Sequence, residues 1–114
     1  MRRIYKILDV SAWDAAKAAG VFTGSAVDVA DGFIHFSTDA QAAETARRYF
    51  ADQADLVLLT VDADAFGDAL KWEASRGGDL FPHLYASLPV AQVIAERALD
   101  LGADGVPLLG ALEP

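Results

Sequence analysis

Cysteine is absent from the sequence, which excludes disulfides, thiolate metal ligands and a cysteine nucleophile. Basic residues are scarce. Nine Lys and Arg stand against 17 Asp and Glu, for a net charge of −8. Duplex nucleic acid demands a basic footprint, so it is excluded as a partner, and an anionic membrane surface is disfavoured. A small anionic ligand is not excluded, because the field inside a cleft is set by the groups nearest to it. Long apolar runs are missing too: no window approaches the roughly 18 apolar residues of a membrane span. The start "MRRIYKILDV" has neither a sufficient apolar run nor a small-residue cleavage site, so it does not read as a signal peptide. The expectation is a soluble, cytoplasmic domain.

What the chain does have is apolar material. Hydrophobic residues make up 54% of the 114, enough for one packed core and no second, so residues 1–114 are read as a single domain. No repeat, low-complexity block or linker divides it. "RRIYKILDV" alternates, with Ile4, Lys6 and Leu8 against Tyr5, Ile7 and Asp9, and reads as a first strand. Ser11 is positioned to cap a helix that Gly20 ends, with Trp13 and Ala16 facing inward. "VFTGSAVDVADG" reads as an irregular surface connection.

"FIHFS" is a short strand. "STDAQAAETARRYFADQ" is the clearest helix: Thr38 with Gln41 matches a capping box, and Ala42, Ala46, Tyr49 and Phe50 form the expected buried stripe. The run Leu56 to Val61 has central-strand character. "ADAFGDA" reads as a turn or short helical piece, and "LKWEAS" and "LFPHLYASL" as strands flanking the hinge "RGGD". "VAQVIAERALD" suits either period and is assigned to a strand. Strands outnumber helices and the helices cluster early. The fold class is therefore α+β, a small mixed or antiparallel split sheet with a few helices.

Two segments carry the candidate chemistry, and each holds one of the chain's two histidines. In "FIHFS", His35 and Ser37 lie two apart and share one strand face, while Ile34 and Phe36 take the other. Polar groups on a strand end beside a helix start suit an anion or a ribose. The alternative is a satisfied structural histidine with Ser37 helping to cap the helix. In "WEASRGGDLFPHLYASLP", Trp72 and Glu73 precede Arg76 and a Gly-Gly pair, followed by His83 and Tyr85. Glycines admit close backbone approach and Arg76 supplies charge, although neither a P-loop nor a dinucleotide fingerprint is matched. If the strands are neighbours, His35, Ser37, Trp72, Glu73, His83 and Tyr85 would line one pocket. Zinc held by His35, His83 and Glu73 or Asp79 is a further option on residue type alone, but the spacing fits no motif, so no metal is expected.

The segments "DGFIHFSTDAQ" and "KWEASRGGDLFPHLYASLP" resemble a family of small bacterial domains of unknown function, family 952. The likeness runs through Asp31 to Thr38, Tyr49 with Phe50, Trp72 with Glu73, and Phe81 to Tyr85, in that order. That family is similar in fold to ADP-ribosyltransferases and RNA 2′-phosphotransferases, whose split sheet encloses a cleft for NAD. The resemblance implies that His35 and Ser37 hold the nicotinamide ribose and that the ligand is NAD or another nucleotide. If the domain is an enzyme, it implies transfer or hydrolysis at the nicotinamide–ribose bond. Those transferases also use a later Tyr and a catalytic Glu. Glu73, Glu96 and Tyr85 are the available stand-ins, with Glu73 taken as catalytic beside His35 and Ser37. Trp72, Arg76, His83 and Tyr85 are taken as ligand-binding. The competing function is a non-catalytic binding or protein-interaction module whose pocket residues serve packing.

Overall fold

The computed structural model describes all 114 residues. Its centre is a three-stranded antiparallel sheet of β1 (Arg3–Asp9), β4 (Leu56–Asp62) and β8 (Val93–Leu99), with β4 in the middle. A second antiparallel sheet runs β3 (Ile34–His35), β6 (Leu80–Leu84), β5 (Leu70–Ala74), and a two-stranded piece pairs β2 (Val21–Phe22) with β7 (Leu88–Pro89). The domain is α+β and every strand pairing in it is antiparallel, so the mixed alternative drops out. "VIAERAL" is indeed a strand. The two larger sheets are spliced at one point: Tyr5 N–H donates to the Ser37 carbonyl at 2.8 Å, and Ser37 N–H donates back to the Tyr5 carbonyl at 2.9 Å.

Strands β1 and β4 are buried on both faces, while β8 is largely exposed. Ile4, Leu8, Val57, Leu59 and Val61 pack with Trp13 and Ala16 of α1 (Val10–Ala19) and with Ile34, Phe36, Leu84 and Leu88. On the other face Tyr5, Ile7, Leu56, Leu58 and Leu99 pack against Ala42 and Ala46 of α3 (Ala42–Tyr49) and against Leu109. Both clusters therefore draw on β1, whose two faces read apolar as a central strand's do.

Three expectations need correction. Helix α1 begins one residue before Ser11, after Asp9, and no side chain caps it. Gly20 does end it, with φ +82°. "VFTGSAVDVADG" is not irregular: it contains β2 and a short helix α2 (Ala26–Asp31). Helix α2 opens on a reciprocal capping box in which Ser25 N–H donates to Asp28 Oδ2 at 2.8 Å and Asp28 N–H donates to Ser25 Oγ at 3.5 Å. Gly24 before it, at φ +116°, has no room for a side chain, since a Cβ would stand 2.9 Å from Asp28 Cβ. Finally, Tyr49 is 59% exposed rather than part of the buried stripe of α3. The reciprocal Thr38–Gln41 bonds expected at its start are present at 3.1 and 3.2 Å.

Leu59 is fully buried on the central strand, between its cross-strand partners Lys6 and Glu96. Leu59→Ala is expected to cost about 2–5 kcal/mol, since the cavity sits where the sheet cannot collapse. Chemical denaturation with an unchanged m-value checks this.

Candidate functional site

Strand β3 is two residues long, and its register with β6 sets His35 directly opposite His83. Directly opposed residues stand on the same face, so the two imidazoles meet with ring centroids 5.5 Å apart. The same face carries Ser37 and, two residues before His83, Phe81. It forms one wall of a cleft of about 640 Å³, the size range of small-molecule sites. Strand β1, α2 and the exposed side of α3 with Tyr49 and Thr45 complete the enclosure, and Arg76 leans in from the turn between β5 and β6.

The two histidines are held differently. The His35 ring lies between two carboxylates, with Nδ1 2.6 Å from Asp28 Oδ1 and Nε2 2.9 Å from Asp31 Oδ2. A carboxylate only accepts, so both contacts are hydrogen bonds together only when both ring nitrogens carry protons. Asp28 is almost completely buried and also accepts from His35 N–H at 3.1 Å. Its Oδ2 lies 3.1 Å from the Lys6 ammonium, which is itself buried and donates to the His35 carbonyl at 2.9 Å. Burial alone would raise the Asp28 pKa. The bond from the His35 ring, the Lys6 charge and the N–H groups of Ser25 and His35 outweigh it and hold the carboxyl well below the usual range. Burial draws the Lys6 pKa down, and the ion pair with Asp28 opposes that pull.

His83 is buried and has one carboxylate partner. Its Nδ1 donates to Glu73 Oε1 at 2.8 Å, and the Tyr85 hydroxyl donates to the same oxygen at 2.7 Å. Those bonds, Tyr85 first, hold Glu73 below its ordinary pKa and push Tyr85 above its own. Phe33 stacks on the His83 ring at 4.0 Å. The Nε2 atom makes no bond within the protein, and no buried side-chain nitrogen or oxygen is left without a partner, so this edge opens onto the cleft. Such a ring accepts or delivers a proton at Nε2 while Glu73 fixes its orientation.

Of the residues singled out in the sequence, His35, Ser37, Arg76 and His83 come together on the cleft. Glu73 and Tyr85 stand behind His83, outside the lining. Trp72 does not join them. Adjacent strand residues point to opposite faces, so a strand that turns Glu73 toward His83 turns Trp72 away. Its ring lies 5.5 Å from the Arg2 guanidinium beside a separate shallow pocket. Glu96 is remote as well, accepting from Trp13 Nε1 at 2.6 Å on β8. No group of three His, Asp or Glu side chains is arranged to hold a metal ion. Sequence reading missed Lys6, Asp28, Asp31 and Thr45. The available signal was Ser25 with Asp28 three residues on, an S-x-x-D capping pattern, together with a lysine at an inward position of β1.

The fold and site define a small α+β domain with a histidine-lined cleft. The family model for "Protein of unknown function (DUF952)" matches residues 7–96, and the chain belongs to that family. It is similar to protein CC0527 from Caulobacter crescentus. The crystal structure of that protein is 63% identical over 95% of each chain, with a TM-score of 0.93. Its solution NMR structure is 63% identical over 96% of this chain and 95% of that one, with a TM-score of 0.88. No curated protein matches. No helix is long and apolar enough to cross a membrane.

Asp28→Ala strands the buried Lys6 charge and is expected to cost about 3–5 kcal/mol, while Asp28→Leu with Lys6→Met recovers only the part due to that charge, because the Ser25 and His35 N–H groups still lose their acceptor. The folded-state pKa of Asp28 lies below its unfolded value. The stability it confers is therefore full above about pH 4 and is lost as the pH falls from there toward the folded value. Asp28→Asn removes that part of the acid dependence, as unfolding curves across the acid range would record. For His83, long-range proton–nitrogen NMR is expected to find the neutral ring protonated at Nδ1, and Glu73→Ala to shift it toward the Nε2–H tautomer. An unchanged tautomer in that variant would refute the role given to Glu73.

Proposed function

We propose that the cleft binds a small ribose- or nucleotide-containing ligand, in the manner of an ADP-ribosyltransferase-like site, with NAD as the cofactor it would take. One observation carries this reading: His35 and His83 are in register on neighbouring strands and face one cleft of small-molecule size, with Ser37 on the same wall. Three of the aromatic residues that line it, Tyr49, Phe50 and Phe81, suit a planar base. His35 and Ser37 would meet the ribose. If the domain is catalytic, the reaction is transfer or hydrolysis at the nicotinamide–ribose bond. His83 then faces the reacting groups, and Glu73 acts through His83 because it lies behind it.

A second reading rests on a different observation. Both nitrogens of His35 and both carboxylate oxygens of Asp28 are bonded inside the protein, as expected of a non-catalytic module whose polar pocket residues are structural. Calorimetric titration with NAD and with ADP-ribose separates the two. Saturable binding that His35→Ala weakens by about tenfold or more supports the ligand site. Absence of binding to the folded protein, with His35→Ala lowering stability by about 1–3 kcal/mol, supports the structural reading and ends the first.

A further inference from the structure

Two basic side chains line the cleft, and they are in opposite states. Lys6 is buried and paired with Asp28. Arg76 has no carboxylate within ion-pair distance, in a chain where acidic residues outnumber basic ones almost two to one. Its guanidinium carbon is 4.9 Å from the centre of the Phe81 ring and 5.8 Å from that of Tyr49. Aromatic contact of this kind occupies the faces of the plane and leaves the N–H edge available. A guanidinium has five N–H donors. One of them is in use, donating from Nη2 to Thr45 Oγ1 at 3.3 Å. Thr45 Oγ1 is in turn 2.9 Å from Ser37 Oγ. Thr45 donates its one hydroxyl proton to the Gln41 carbonyl at 3.2 Å, and so accepts from Arg76 and from the Ser37 hydroxyl. Arginine, threonine and serine thus form one hydrogen-bonded row on the cleft wall, in which the unused N–H groups of Arg76 are the free donors, held by the turn after β5, by α3 and by the splice between the sheets.

Carboxylates also reach the cleft. Asp28 and Asp31 are taken up by Lys6 and His35, and Asp9 lines it from the end of β1. No such neighbour compensates Arg76. We infer that Arg76, Thr45 and Ser37 form a subsite for a phosphoryl or pyrophosphoryl group, so that the ligand of this cleft is an anion bound by its phosphate. The placement also orients that ligand. Phe81 and His83 are two residues apart on one face of β6, about 6.6 Å along the strand. A phosphoryl group over Phe81 puts the atoms attached to it alongside the open Nε2 edge of His83. This deepens the ligand reading above by giving the ligand its charge class, and it moves Ser37 from the ribose to the anion.

The test is an NMR titration of the full chain with inorganic phosphate and with pyrophosphate, run beside NAD and ADP-ribose. Saturable shifts are expected at Ser37, Thr45 and the Arg76 side chain, with pyrophosphate affinity reduced about tenfold or more in Arg76→Gln. Arg47→Gln, at a residue that pairs with Glu44 outside the cleft lining, leaves it unchanged. Thr45→Val, with Arg76 intact, weakens binding to a smaller extent and serves if Arg76→Gln does not fold. Absence of saturable shifts with either anion overturns the inference, as does equal affinity in wild type and Arg76→Gln. Pyrophosphate binding without nucleotide binding keeps the subsite and defeats the nucleotide reading. Nucleotide binding indifferent to Arg76→Gln does the reverse.

Discussion

A single buried carboxylate ties the architecture to the cleft. Asp28 sits on α2, yet its bonds run to three other places in the chain: the Ser25 N–H that opens its own helix, the Lys6 ammonium on β1, and both the backbone and ring of His35 on β3. Charge in a low-dielectric interior is tolerated only where every lone pair is answered. Here that requirement acts as a geometric constraint. Helix α2 cannot move away from β1 without exposing the ammonium to apolar neighbours, and β3 cannot shift register without losing two bonds at once. The His35 side chain is therefore oriented by the same interaction that holds the sheets and α2 together.

That coupling explains why the two histidines, though in contact range, have different chemical capacity. His35 is enclosed by carboxylates and has both ring nitrogens committed, which suits a fixed orientation. His83 has one nitrogen committed to Glu73 and the other open. The pair resembles a division between a positioning group and a group free to exchange a proton. Neighbouring strands enforce it, because cross-strand register fixes which residues are opposed and the pleat fixes which face they share. A slip of one residue in β6 would turn His83 into the core and bring Leu84 or Pro82 to the cleft.

Much of this was legible in the residues. The two-residue period of "FIHFS" and "LFPHLY" placed both histidines on polar faces, and the apolar run Leu56 to Val61 marked the strand that proved central. What escaped was long-range. Nothing local says that Lys6, at an inward position between Ile4 and Leu8, is tolerated there because an aspartate 22 residues later reaches it. Helix α2 has too little apolar periodicity to announce itself, and its single turn and a half is held by a cap and an ion pair rather than by propensity. Tyr49 followed the apolar stripe of α3 by spacing, but the space above it is occupied by Arg76 from the β5–β6 turn instead of core. Trp72 and Glu73 are adjacent in sequence, but the alternation of β5 sends them to opposite faces, and only Glu73 reaches His83.

The cleft is also protected from the weakness of its own components. Strand β3 is two residues long, and a strand that short pairs weakly by itself. Its continuation, however, is stitched into β1 through Ser37 and Tyr5, and β1 lies between the two apolar clusters that make up the core. Ser37 is thus a residue of the cleft wall whose backbone belongs to the best-packed part of the molecule. A cleft wall gains from such an anchorage, because rigid supporting elements reduce the ordering cost of any binding. Arg76 stands at the other extreme, on a three-residue turn between strands, steadied by two aromatic rings and one hydroxyl. The wall therefore grades from a fixed side at Ser37 to an adaptable one at Arg76. On the reading proposed above, a ligand clasped between them would be positioned by the first and enclosed by the second.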